Sequence, residues 1–133
     1  MGVKDQMDVE VYKALSDENR LRILNIIAER ELCVCEIEEV LGISQSNASR
    51  HLNRLRQAGI ISSRKEAQWT YYAFDPVFRS GSLLLFAHLM NSFAQDDTLC
   101  AERSRANSIP DKCNRRTFSL KTTQTLSGQE EQQ

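Results

Sequence analysis

Nowhere in the 133 residues does an apolar run approach the roughly 18 that a membrane-spanning helix requires. The opening stretch, MGVKDQMDVEVYK, lacks the apolar core of an export signal. The chain is therefore expected to act in the cytoplasm, with no membrane partner, where thiols stay reduced. Its four cysteines are then ligands or buried small side chains rather than a disulfide framework. Net charge is also missing, because 17 basic and 18 acidic side chains leave −1, which argues against indiscriminate adhesion to nucleic acid. Internal repeats are absent, and the length suits one domain of ordinary size.

What charge there is falls in blocks. Glu29, Glu31, Glu36, Glu38 and Glu39 crowd one stretch, and no acid occurs from Val40 to Lys65. Arg50, Arg54, Arg56, Arg64 and Lys65 all lie in that acid-free stretch. A near-neutral chain with one local basic surface fits a sequence-specific DNA reader, which needs phosphate contacts on one face only.

The apolar spacing predicts a mostly helical α+β domain. Val9 to Leu15 forms a short amphipathic helix. Ser16 or Asp17 caps a second, Glu18 to Arg30, whose broad face of Leu21, Ile23, Leu24, Ile26 and Ile27 makes it central. A third helix runs from about Val34 to Leu41, burying Ile37, Val40 and Leu41, and Gly42 closes it in the left-handed region. Ser44 caps a fourth helix that buries Ala48, Leu52 and Leu55 and ends at Ala58-Gly59. Ile60 to Lys65 and Trp69 to Phe74 then read as an antiparallel hairpin. Pro76 opens a last helix reaching about Ala94, apolar nearly all round, whose second face is expected to meet a second copy of the chain. The expected organisation is a DNA-binding and dimerisation domain over 1–98. A polar tail over 99–133 has too little apolar surface to offset its ordering.

This order is that of a winged helix-turn-helix. In such a motif the second helix lies in the major groove with its N-terminal residues at base edges. Those residues are Ser44, Gln45, Ser46, Asn47, Ser49 and Arg50. Asn and Gln pair with adenine, and Arg with guanine. Arg54, with Arg64 and Lys65 on the hairpin, is expected to clamp phosphates, and His51 to be a neutral phosphate or packing contact. The stretches SQSNASRHLNRLRQAGII, WTYYAF, DENRLRILNII and ELCVCEI together resemble the ArsR/SmtB family of metal- and metalloid-responsive repressors, over about residues 9 to 95. The resemblance implies a homodimer, paired through its terminal helices, that binds an inverted-repeat DNA operator and leaves it when an inducer binds. Many wings of the family carry a tip glycine, where this chain has Glu66, Ala67 and Gln68.

The cysteines suggest the inducer. Residues two apart on a regular helix point about 200° from each other. Cys33 and Cys35 can therefore share an ion only if Cys33 is extended, just ahead of the helix. The helix dipole there favours thiolate. Soft thiolates select soft ions. The resemblance implies As(III) or Sb(III) held by three thiolates, with no obligatory cofactor. The family's arsenic branch often reads C-V-C-x-x-C, and here Glu38 stands at the third position. The third donor then comes from Cys100, from Cys113 or from a small cellular thiol, Cys100 being preferred because it ends a structured helix. The resemblance also implies N-terminal cysteines in the cadmium-responding branch, where this N-terminus has neither Cys nor His, and paired Asp and His ligands on the last helix in the zinc type, where only His88 stands. A thioredoxin-like setting for a redox enzyme is also lacking. Two alternatives stay open: a different thiophilic ion (cadmium, lead or zinc), and thiol oxidation as the signal.

Overall fold

The structure, a computed structural model, describes residues 8–110. Its elements are α1 (Val9–Leu15), α2 (Glu18–Ile26), β1 (Leu32–Cys33), α3 (Val34–Leu41), α4 (Gln45–Gln57), β2 (Ile61–Glu66), β3 (Trp69–Phe74), α5 (Pro76–Gly81), α6 (Leu83–Ala94) and α7 (Asp97–Ser108). The three strands form one antiparallel sheet in the order β1-β3-β2. The fold is a winged helix-turn-helix, with β2 and β3 as the wing.

Local chemistry accounts for most boundaries. Asp17 is extended and its carboxylate accepts from the Arg20 amide at 3.0 Å, capping α2. Gly42 takes φ +68°, and its amide donates to the Glu38 carbonyl, closing α3. Ser44 accepts from the Asn47 amide at 3.2 Å and starts α4. Ile23, Leu24 and Ile26 of α2, Ile37 of α3, and Leu52 and Leu55 of α4 have no exposed surface, and they form the centre of the core. Each such side chain contributes about 1.5–3 kcal/mol by leaving water.

Four expectations are corrected. The second helix stops at Ile26 rather than Arg30, because the chain must turn to lay Leu32 and Cys33 beside β3. That third strand, β1, was not foreseen. The long apolar helix is broken at Ser82 (φ −124°, ψ 49°) into α5 and α6. Gly81 and Ser82 are both weak helix formers. The break seats Phe78 and Phe86 against Phe74, with centroids 6.2 and 5.1 Å away.

The fourth correction moves the domain boundary. Residues 99–108, assigned to a tail on composition, belong to helix α7, which packs on α2 and α3. Asp96 caps it by accepting from the Leu99 amide at 3.0 Å. Ala106 is fully buried, and Glu102 nearly so against Arg22, with Nη2 2.6 Å from Oε2. Asn25 Nδ2 donates to the Leu99 carbonyl at 2.7 Å, and Arg103 Nε donates back to the Asn25 carbonyl at 3.1 Å. Polar pairing, not apolar area, holds this helix down, so composition under-reports it. The expected tail beyond residue 110, with Cys113, lies outside the described residues.

Candidate functional site

Cys33 is the N-cap of α3. Its backbone is extended (φ −93°, ψ 170°), and Val34 and Cys35 begin the helix. That one extended residue brings the Cys33 sulfur, which stands in a disulfide contrary to the expectation of reduced ligand or packing cysteines, to 3.1 Å from the free Cys35 thiol. The Glu36 carboxylate reaches back to accept from the Cys33 amide at 3.0 Å, while the Glu36 amide faces the Cys33 sulfur. This is a capping box with sulfur in the usual place of a hydroxyl. Glu36 is wholly buried, and Arg30 Nη2 stands 3.8 Å from its Oε2. A buried carboxylate needs such a counter-charge.

The cysteine pair also belongs to the wing. Cys33 is the β1 residue opposite Tyr71 of β3, and Leu32 is opposite Tyr72. Cys33 and Tyr71 form a small buried cluster against which Cys35 and Trp69 pack. The guanidinium of Arg64, on β2 opposite Tyr71, lies 4.8 Å from that ring. Arg64 Nε donates to Glu31 Oε1 at 2.9 Å, and Nη1 pairs with Glu66. These two carboxylates push the arginine's pKa further up. Arg64, expected to clamp phosphate, also ties the wing to the residues just before Cys33 while staying exposed.

The reading helix presents most of what was expected of it. Ser44, Gln45, Ser46, Asn47, Ser49 and Arg50 are all exposed, as is Lys65 on the wing. Arg50 Nη2 donates to Asn47 Oδ1 at 2.7 Å, which aligns the two side chains on the exposed face of α4. One turn on, Arg56 Nη2 donates to Asn53 Oδ1 at the same distance. Both of these residues are exposed on α4; the sequence pointed to Arg56 only as part of the basic stretch and not to Asn53. Arg54 is half-buried and turned towards α1, with Nη2 3.3 Å from Glu10.

Of the two roles expected for His51, the structure shows the packing one, with the side chain 4% exposed. Its Nδ1 lies 3.3 Å from Arg20 Nη1 and 4.0 Å from Asp17, so it joins α4 to the start of α2. Burial lowers its pKa, and Arg50 and Arg20 add to this against the pull of Asp17. Asp17 itself is drawn down: burial opposes its charge, but the Arg20 amide and the cationic neighbours outweigh it.

Cys100 does not join the pair within one chain. Its thiol faces the carbonyls of Phe93 and Ala94 at 3.7 and 3.5 Å, on a cavity lined by Asn25, Arg103 and Asn107. Among the described residues no three Cys, His, Asp or Glu side chains cluster as metal ligands. His88 is exposed beside Ser92. Also among the described residues, no helix is long and apolar enough to cross a membrane.

Comparison with known proteins follows the same lines. Residues 17–63 match the family described as "Bacterial regulatory protein, arsR family". The arsenic resistance transcriptional regulator ArsR1 of Pseudomonas putida is 49% identical over 67 residues, which is 50% of this chain and 52% of that protein. A cadmium resistance regulatory protein, a CadC homolog of Staphylococcus aureus, is 42% identical over 77 residues, 56% of this chain and 64% of that one. The chain thus spans about half the length of the arsenic-resistance regulator it matches. Among solved structures it resembles the homodimeric winged helix-turn-helix DNA-binding domain of Mb0332 from Mycobacterium bovis, a possible ArsR-family transcriptional regulator. The identity is 30% and the TM-score 0.52, covering 60% of this chain and 76% of that one.

Proposed function

The chain belongs to the ArsR family of bacterial regulatory proteins, and on that premise we propose that it is a cytoplasmic transcriptional repressor released from its DNA operator by As(III) or Sb(III) bound at Cys33 and Cys35. The observation that carries the reading is the 3.1 Å between the two sulfur atoms. The Cys33 sulfur stands in a disulfide here, so reduction precedes ion binding, and the reduced pair then offers two thiolates at one helix end. The N-terminus of α3 adds dipole stabilisation of thiolate.

The mechanism is a competition between two uses of one residue. Without inducer, Cys33 caps α3 and pairs with β3, and α3 supports α4 through buried Ile37, Val40 and Leu41. A homodimer sets two copies of α4 about one DNA turn apart over an inverted repeat. Its contact surface is the apolar face left exposed on α5, α6 and α1: Val77, Leu83 and Leu84, with Val9 and Tyr12. An ion bonded to both sulfurs takes Cys33 out of its capping box. The disturbance passes along α3 to the reader and across β1 to the wing. Inducer and operator then oppose each other reciprocally, and a 100-fold loss of affinity needs only about 2.7 kcal/mol.

The test is operator binding by fluorescence anisotropy, reduced, with arsenite, antimonite, cadmium and zinc added in turn. Micromolar arsenite or antimonite should release the DNA and the divalent ions should not. Cys33→Ser and Cys35→Ser should keep operator binding and lose release. A second reading, another thiophilic ion in the same site, is favoured by the similarity to the cadmium regulator, and release by cadmium alone would establish it. Release by a thiol oxidant, with no response to any ion, would replace both with redox sensing.

A further inference from the structure

Helix α4 carries three arginines, Arg50, Arg54 and Arg56, and no acid. Their partners differ. Arg54 lies 3.3 Å from the Glu10 carboxylate, which offsets its charge. Arg50 and Arg56 each donate to a neutral asparagine carbonyl, Asn47 Oδ1 and Asn53 Oδ1, at 2.7 Å. Among the described residues neither of these two forms an ion pair. A neutral acceptor orients a guanidinium and leaves its full charge for an anion.

Helical geometry places Arg56. Ala48, His51, Leu52 and Leu55 make the buried side of α4. At about 100° per residue, Ser46, Arg50, Asn53 and Gln57 lie within about 30° of the opposite side, and all four are exposed. Arg54 and Arg56, two residues apart, fall on opposite flanks, each about 90–110° from the buried centre. The Arg54 flank faces α1 through Glu10. Asn53 lies about 60° from Arg56 towards the outer side, so its carbonyl draws the Arg56 guanidinium outward. A major groove about 12 Å wide sets a phosphate backbone on either side of a helix about 10–12 Å across. A helix with one cation on each flank meets both strands.

We infer that Arg56 binds a DNA phosphate on the strand across the groove from Arg54, with Asn53 as its positioning residue. This rests on the reading of the chain as a DNA-binding repressor and carries its interface on to the last turn of α4. A cation in that turn also favours the helix dipole, a role that concerns stability alone.

The experiment uses the full chain on the duplex that it selects from a random-sequence library. Affinity is read by fluorescence anisotropy across a salt series, and phosphate contacts by ethylation interference. Arg56→Ala should lower the salt-dependence slope by about 1 per bound chain and weaken matched and mismatched duplexes by the same factor. Interference should disappear at one phosphate position per half-site, on the strand opposite the one that Arg54→Ala clears. Arg56→Lys should restore the slope. Asn53→Ala should cost at least about twofold in affinity by itself and nothing further beside Arg56→Ala. An Arg56→Ala chain with a lower denaturation midpoint but an unchanged slope and interference pattern overturns the inference, as does loss of interference on the same strand as Arg54→Ala. An Asn53→Ala chain that changes preference at one base pair overturns the positioning role. A wild-type chain that selects no duplex overturns the DNA-binding reading itself.

Discussion

Cys33 and Tyr71 stand opposite each other in the β1–β3 ladder, so the first cysteine of the pair and the central strand share one stretch of sheet. Trp69, two residues before Tyr71, packs on this pair and is the only tryptophan in the chain. Ion binding is therefore expected to change Trp69 emission. Cys33→Ser should abolish the change, and saturating arsenite with no spectral response would place the ion elsewhere.

The two wing cations should behave differently. Lys65 is exposed and free to meet phosphate, whereas Arg64 is held by Glu31 and Glu66. Lys65→Ala should weaken binding to all operators alike and lower the salt-dependence slope by about 1. Arg64→Ala should leave that slope unchanged and alter the inducer response instead. Equal slopes for the two variants would return Arg64 to the phosphate backbone.

Arg50 and Asn47 are aligned on each other at the exposed start of α4. Arg50→Ala is expected to weaken operator binding by about 1–3 kcal/mol and to relax preference at one base pair per half-site. A panel of single-base operator variants reads this directly. A uniform loss across the panel would make Arg50 a phosphate contact.

His51 gives the fold a pH dependence whose sign follows from its lowered pKa. Above the unfolded value of about 6.5, both states hold it neutral and its contribution to stability is complete. As pH falls below that value the unfolded chain takes up a proton that the folded chain resists, so stability is lost down to the folded pKa. Asp17 is lowered too, and its share is lost only in acid, below about pH 4. Denaturant midpoints measured between about pH 7 and 5 should fall for the natural chain and level off in His51→Gln. A wild-type midpoint that is flat over this range would contradict the assignment.

The wing turns without a glycine, and Ala67 takes φ +58° to do so. A left-handed alanine costs about 1–2 kcal/mol, partly offset by the greater freedom of glycine in the unfolded chain. Ala67→Gly should therefore stabilise the fold by about 0.5–1 kcal/mol in chemical denaturation. Destabilisation would mean that the alanine methyl has a packing role.

Features with local causes were legible in the sequence. Gly42 and Ser44 announce the turn by their own backbone and capping chemistry. The 200° argument puts Cys33 outside the helix if the two cysteines are to meet, and its backbone is extended there. Features made by distant partners were not. A two-residue strand has no periodicity to detect, and β1 exists because Tyr71 and Tyr72 lie beside it. His51 reads as part of a polar face until Arg20 and Asp17 close over it. Helix α7 is rich in Ser, Arg and Asn, and its anchors are Arg22 and Asn25, over 70 residues earlier. A signal is nevertheless present, because Asp96 is a good N-cap.

Helix α7 also bears on the order in which the molecule is finished. Arg105 donates to the Val40 carbonyl and Arg22 to the Leu41 carbonyl, so the last turn of α3 is tied from both sides. Arg22 in turn is oriented by Glu102. During synthesis the reading helix leaves the ribosome some fifty residues ahead of Glu102 and Arg105. A nascent chain therefore carries a reader whose scaffold is still open at one end. Helix α7 closes that end of α3 only once it has emerged.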